Sequence, residues 1–143
     1  MIQYPMKFKV DVTSPSGIQT VWKAKVPGQD DLVVAIPPEF EGPGGGFSPE
    51  DFFILATCNC FTATFKVMAE KSKIAFDSLT IEGVSTVDRD ETGRPWIKKL
   101  DFNVKVIGTA DRERMDRILQ KASQSCIILH SVKSEISFQF EIA

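Results

Sequence analysis

Ser48-Pro49-Glu50-Asp51-Phe52-Phe53-Ile54-Leu55-Ala56-Thr57-Cys58-Asn59-Cys60-Phe61 decides the fold. Ser48 is a residue type that caps the free N–H groups of a helix start. Pro49 suits the first helical position, and Glu50 and Asp51 complement the positive end of the helix dipole. The helix predicted from here runs roughly from Asp51 to Ser72. Its first half has no polar face, and a wet side begins only at Lys66. A helix that is apolar all round is a buried helix. A chain of 143 residues has few elements with which to surround one, so a second subunit is expected to help cover it.

Upstream, residues alternate as strands do. Phe8, Val10 and Val12 interleave with Lys7, Lys9 and Asp11. After the turn Ser14-Pro15-Ser16-Gly17, Thr20, Trp22, Ala24 and Val26 interleave with Val21, Lys23 and Lys25. Leu32 to Ile36 is a short apolar strand stopped by Pro37-Pro38, and residues 37–48 form a Pro- and Gly-rich loop. Downstream, two long strands, Leu79 to Asp88 and Trp96 to Ile107, flank the hairpin turn Asp90-Glu91-Thr92-Gly93. A second helix, capped by Thr109 or Asp111, carries Met115, Ile118, Leu119, Ala122 and Cys126 on one stripe. The final strand, Glu135 to Ile142, is expected to bury Ile136, Phe138, Phe140 and Ile142. The order β-β-β-α-β-β-α-β, with antiparallel sheets formed from hairpins, defines an α+β fold in a single domain over residues 1–143.

Composition narrows the function. The chain is 43% apolar and 25% charged, as globular domains are. A net charge of −2 excludes a basic nucleic-acid surface. The N-terminus has no signal-peptide pattern. The apolar run from Phe52 to Phe65 falls short of the ~20 residues a spanning helix needs, so a soluble, cytoplasmic protein with no membrane partner is expected. Arg112, Arg114 and Arg117 alternate with Asp111, Glu113 and Asp116, which reads as a solvated helix face. His130, the single histidine, reads as a polar surface residue rather than a base beside Cys126. Trp22 and Trp96 read as core or rim packing.

Three cysteines in such a chain are no disulfide framework. Cys58 and Cys60 lie about 200° apart on a helix, so they neither pair with each other nor line one site. Their spacing fits neither a Cys-x-x-Cys redox pair nor a zinc site; no metal or other cofactor is expected. Cys126 faces inward from its stripe, within reach of Cys58 or Cys60. Two thiols meeting across two helices can do redox chemistry, one attacking an oxidant and the other resolving the product. Free cysteines also serve as plain core filler, and spacing alone leaves both readings open. Glu50 alone reads as a helix-start acid.

The stretch from Ser48 to Phe61 resembles the helix start of the OsmC/Ohr family of thiol peroxidases. There a glycine-rich loop leads into Pro-Glu, and a cysteine follows the Glu by ten residues. Glu50 and Cys60 have that spacing. Ala122-Ser123-Gln124-Ser125-Cys126 resembles the segment that carries the family's second cysteine, and Phe40-Glu41-Gly42 also matches. The resemblance implies an OsmC-like intertwined homodimer with two active sites at the subunit interface, Cys60 as peroxidatic cysteine, Cys126 as resolving cysteine and Glu50 as a site-orienting carboxylate. It implies reduction of organic hydroperoxides through a sulfenic acid and a disulfide, which a dithiol reductant, of lipoyl or another type, reopens. It leaves Cys58 as an extra.

One departure from the pattern bears on chemistry. The family's site has an arginine that stabilises the thiolate; this chain has none before Arg89, and Glu39 stands before Phe40, one of the arginine's positions. A carboxylate there would raise a thiol pKa. Lys23, Lys25, or Arg112 or Arg114 from a partner are the available substitutes. The alternative is a non-catalytic protein that binds a small apolar or thiol ligand at the same interface. Ile127 also replaces the proline the family usually has after its second cysteine.

Overall fold

The computed structural model describes all residues from Met1 to Ala143 and divides into two compact units, residues 1–52 and 53–143. The first unit holds an antiparallel sheet in the order β1 (Asp11–Thr13), β2 (Trp22–Lys25), β3 (Leu32–Val34). Val12 pairs with Ala24, and Ala24 with Leu32. The strands are shorter than their alternation predicts: residues 1–10 lie outside the sheet, and Phe8 is 90% exposed. Alternation gives a segment its two faces, but only a hydrogen-bonding neighbour makes it a strand.

The Pro/Gly loop is ordered by its own backbone. Gly42 N donates to Pro37 O, Gly44 N to Ile36 O and Phe47 N to Val33 O, folding the loop back along β3. A Cβ on Gly42 would sit 2.1 Å from Ile36 O, so only glycine fits there. The loop ends in a reciprocal cap. Asp51 N donates to Ser48 Oγ at 3.0 Å, and Ser48 N donates to Asp51 Oδ2 at 2.9 Å. Helix α1 (Pro49–Lys71) starts from it.

In the second unit, β4 (Ser78–Arg89) and β5 (Pro95–Ile107) form a long hairpin with a bulge at Thr86/Val87. Helix α2 (Arg112–Ser125) then returns the chain to β6 (Glu135–Ile142). Asp111 caps α2, accepting from Arg114 N. β6 pairs with β5 in parallel, Leu100 beside Ile136 and Val106 beside Ile142, where hairpins alone predict antiparallel sheets. A helix between two neighbouring strands reverses the chain twice, so the second strand runs the same way as the first.

α1 and α2 pack on one face of this sheet. Phe61, Phe65 and Ala69 of α1 meet Val104, Val106, Met115, Ile118, Leu119 and Ala122. Phe61 lies 5.1 Å from Phe138 and 6.2 Å from Phe140, centroid to centroid. Ile136, expected inside, is 39% exposed, because the cluster under β6 begins at Phe138. Within one chain α1 buries only the stripe Thr57, Phe61, Phe65 and Ala69; Leu55 and Val67 stay exposed. By length and composition alone α1 could cross a membrane, as core helices of soluble proteins also could. Counting only Phe52 to Phe65 understates it, because the helix runs on through Val67, Met68 and Ala69.

Candidate functional site

The second unit brings two of the three thiols together. Cys60 lies in the middle of α1, and Cys126 is the residue on which α2 ends, with extended backbone (φ −76°, ψ 119°). Their side chains are neighbours in one cluster, close enough for Cys60 to act on the protonation of Cys126. Around them lie Leu100, Phe102 and Leu129, with Phe53, Ile54, Ile97, Val132 and Phe138 at the edge.

Cys126 is fully buried. Burial pushes its thiol up to about 11, and Cys60 adds to the rise by hydrogen bonding to the protonated form and by repelling a second thiolate. The amides of Leu129 and Ile128 donate to its sulfur and offset part of this. At neutral pH Cys126 is therefore a thiol, with an S–H to donate.

Cys58 also borders this cluster, although helix geometry predicts that it faces away from Cys60. Its own neighbour is β4: a Cβ on Gly83 would sit 2.6 Å from Cys58 Sγ. Burial raises the Cys58 thiol as well. Gly83 is thus a residue that sequence reading misses. A glycine inside a strand signals close approach of another element, but not which one.

Glu50 lies on the first turn of α1, and its Oε2 is shut off from solvent with no hydrogen-bond partner. Ten residues of helix, about 15 Å of rise, separate it from Cys60. No carboxylate side chain spans that, so within one helix Glu50 stands apart from the thiol pair. Glu39 lies on an exposed 3₁₀ turn, Pro38–Phe40. His130 is exposed, with Nε2 2.7 Å from Gln124 O. A carbonyl only accepts, so Nε2 carries the proton and is engaged with the backbone of α2. Of the arginine substitutes, Arg114 is engaged: its Nη2 donates to Ser72 O at 2.6 Å. Lys25 lies 3.9 Å from Asp31.

An α+β domain that places a mid-helix cysteine of its long helix against a cysteine ending its second helix defines a narrow class. Residues 42–141 match the OsmC-like protein family, and the chain belongs to it. YmaD of Bacillus subtilis (strain 168), itself uncharacterised, is 26% identical over 113 residues, spanning 76% of this chain and 75% of YmaD. An OsmC-like protein of unknown function from Vibrio cholerae superposes with a TM-score of 0.85 at 18% identity, over 95% of this chain and 99% of that one. The organic hydroperoxide resistance protein OhrB of Bacillus subtilis superposes at 0.70 with 20% identity, over 96% and 98%. At these identities the solved structures show the fold.

Proposed function

We propose that the protein is a thiol peroxidase that reduces organic hydroperoxides, working as an intertwined homodimer in a reducing compartment. The observation that carries this reading is the juxtaposed Cys60–Cys126 pair in an apolar cluster. The Cys60 thiolate attacks the distal peroxide oxygen. Its electron pair forms the S–O bond, the O–O bond breaks, and the leaving alkoxide takes a proton to become the alcohol. Cys60 is then a sulfenic acid. Cys126 attacks that sulfur, water leaves with the Cys126 proton, and a disulfide remains for a dithiol to reduce. Protonated Cys126 suits the resolving role: its S–H supports the Cys60 sulfur before attack, and Cys126 is a poor competitor for the peroxide.

Two observations favour the dimer. Only 22% of the most apolar 18-residue window of α1 is buried in one chain. Val10 and Val12 are 61% and 60% exposed. A second copy would cover such surface, and its Glu50, unlike the chain's own, could orient the site through an unpartnered oxygen. Reduced protein treated with cumene hydroperoxide should lose two of its three thiols per chain. Cys60→Ser consuming peroxide as fast as wild type would refute the assignment, and a monomer by light scattering would refute the dimer.

The absence of arginine from the first 88 residues favours a second reading, a protein that binds an apolar or thiol ligand at this site without turnover. Slow, unsaturable peroxide loss together with ligand-dependent melting would select it.

A further inference from the structure

A cleft of about 340 Å³ lies where the end of α1 meets α2, away from the thiols. Its wall carries Lys71, Arg114, Arg117 and Lys121; its floor is Met68 and Ile118. In sequence the charges of α2 alternate in sign. The helix partly sorts them: at 100° per residue Arg114, Arg117 and Lys121 fall within about 60° of arc, with Glu113 about 40° beyond Arg117 at the edge and Asp116 well away from all three.

Two of the four cations have partners at the rim. Arg117 lies 3.4 Å from Glu113, and Arg114 lies 4.0 Å from Asp111. Neither Lys71 nor Lys121 is within ion-pair distance of a carboxylate. The end of a helix ordinarily repels anions. Here Arg114 Nη2 holds the carbonyl of Ser72, removing one of those acceptors and tying α2 to the end of α1. The cleft is therefore preformed, cationic at its wall and apolar at its floor. Its volume is within the range of small-molecule sites.

We propose that this cleft binds an anionic amphiphile, with a carboxylate or phosphate head between Lys71 and Lys121 and an apolar chain on Met68 and Ile118. The site does not depend on the thiol chemistry.

The test is calorimetric titration of the full-length wild type, at low salt and below micelle formation, with decanoate, decyl phosphate, decan-1-ol and inorganic phosphate. One site per chain is expected for decanoate or decyl phosphate, and the tighter of the two names the head group. Decan-1-ol should bind at least about tenfold more weakly, and about 0.5 M salt should weaken the anions by a similar factor. Both lysines are exposed, so Lys71→Ala/Lys121→Ala should leave melting unchanged and cut affinity about tenfold or more. No binding, or binding untouched by the double substitution, overturns the site. Inorganic phosphate binding as tightly as decyl phosphate overturns the apolar floor.

Discussion

Gly83→Ala sets two known effects against each other. Gly83 has no left-handed backbone, so alanine there should stabilise by about 0.4–1 kcal/mol through the unfolded chain. Yet the new methyl would sit 2.6 Å from Cys58 Sγ, and 3.0 and 3.1 Å from Cγ1 and Cδ1 of Ile54. Non-bonded carbon contacts are comfortable near ~3.5–4.0 Å, so three contacts are short at once. Overpacking of this kind costs about 1–3 kcal/mol. The clash should win, with a net loss of about 1–2 kcal/mol. Removing the sulfur relieves the shortest contact but not the two to Ile54. Cys58→Ala/Gly83→Ala should therefore be more stable than the sum of its singles by about 1 kcal/mol. Urea midpoints at one fixed protein concentration measure both quantities. The reasoning fails if Gly83→Ala is stabilising, or if the two substitutions are additive. Pressure on α1 at Cys58 also displaces Cys60, so the Cys60–Cys126 disulfide should form more slowly in Gly83→Ala.

Cys126 is raised to about 11 from a reference of 9.0. Above pH 9 the unfolded chain releases a proton that the folded one keeps, so stability is lost as pH rises from about 9 to about 11; Cys126→Ala should flatten that part of a melting-temperature profile. Ser48→Ala removes the acceptor for Asp51 N and should cost about 1 kcal/mol in urea denaturation. Phe61→Ala empties a fully buried site among Phe65, Phe138 and Phe140; a loss of about 3–5 kcal/mol in the same assay is expected.

Element order was legible because its signals are local. The Ser48 cap, the Asp90–Gly93 turn and the α2 stripe each lie within a few residues. Asp111 rather than Thr109 caps α2, a choice the sequence left open and the Arg114 N–H decides. What local pattern cannot contain is pairing. β6 beside β5 in parallel and Gly83 beneath Cys58 are contacts between separate segments of the chain, and residues 1–10 stay out of the sheet for want of such a neighbour. The site was half legible for the same reason. Cys126 could be placed on an inward stripe, but which α1 thiol it met depended on how α1 rotates against the sheet. The cationic cleft was hidden by counting charge along α2 rather than around it.

The two thiols are not equally free to move, and a disulfide requires movement, because it fixes its Cα atoms ~4.4–6.8 Å apart in a narrow geometry. Cys60 is held in mid-helix, where every neighbouring turn is hydrogen-bonded and Phe61 is locked in the aromatic core. Cys126 is the C-cap residue of α2, with extended rather than helical backbone. Only a short 3₁₀ turn, Leu129–Ser131, follows it, with His130 N on Cys126 O and Ser131 Oγ on Ile127 O. Helix ends and short turns open at far lower free energy than helix interiors. The rearrangement on oxidation should therefore fall on residues 125–131 and leave α1 in place. Hydrogen exchange of the reduced and oxidised forms reads this directly. Altered protection is expected at the end of α2 and in the turn, with Thr57 to Ala69 unchanged; deprotection of α1 on oxidation would mean that the Cys60 side, not the Cys126 side, gives way.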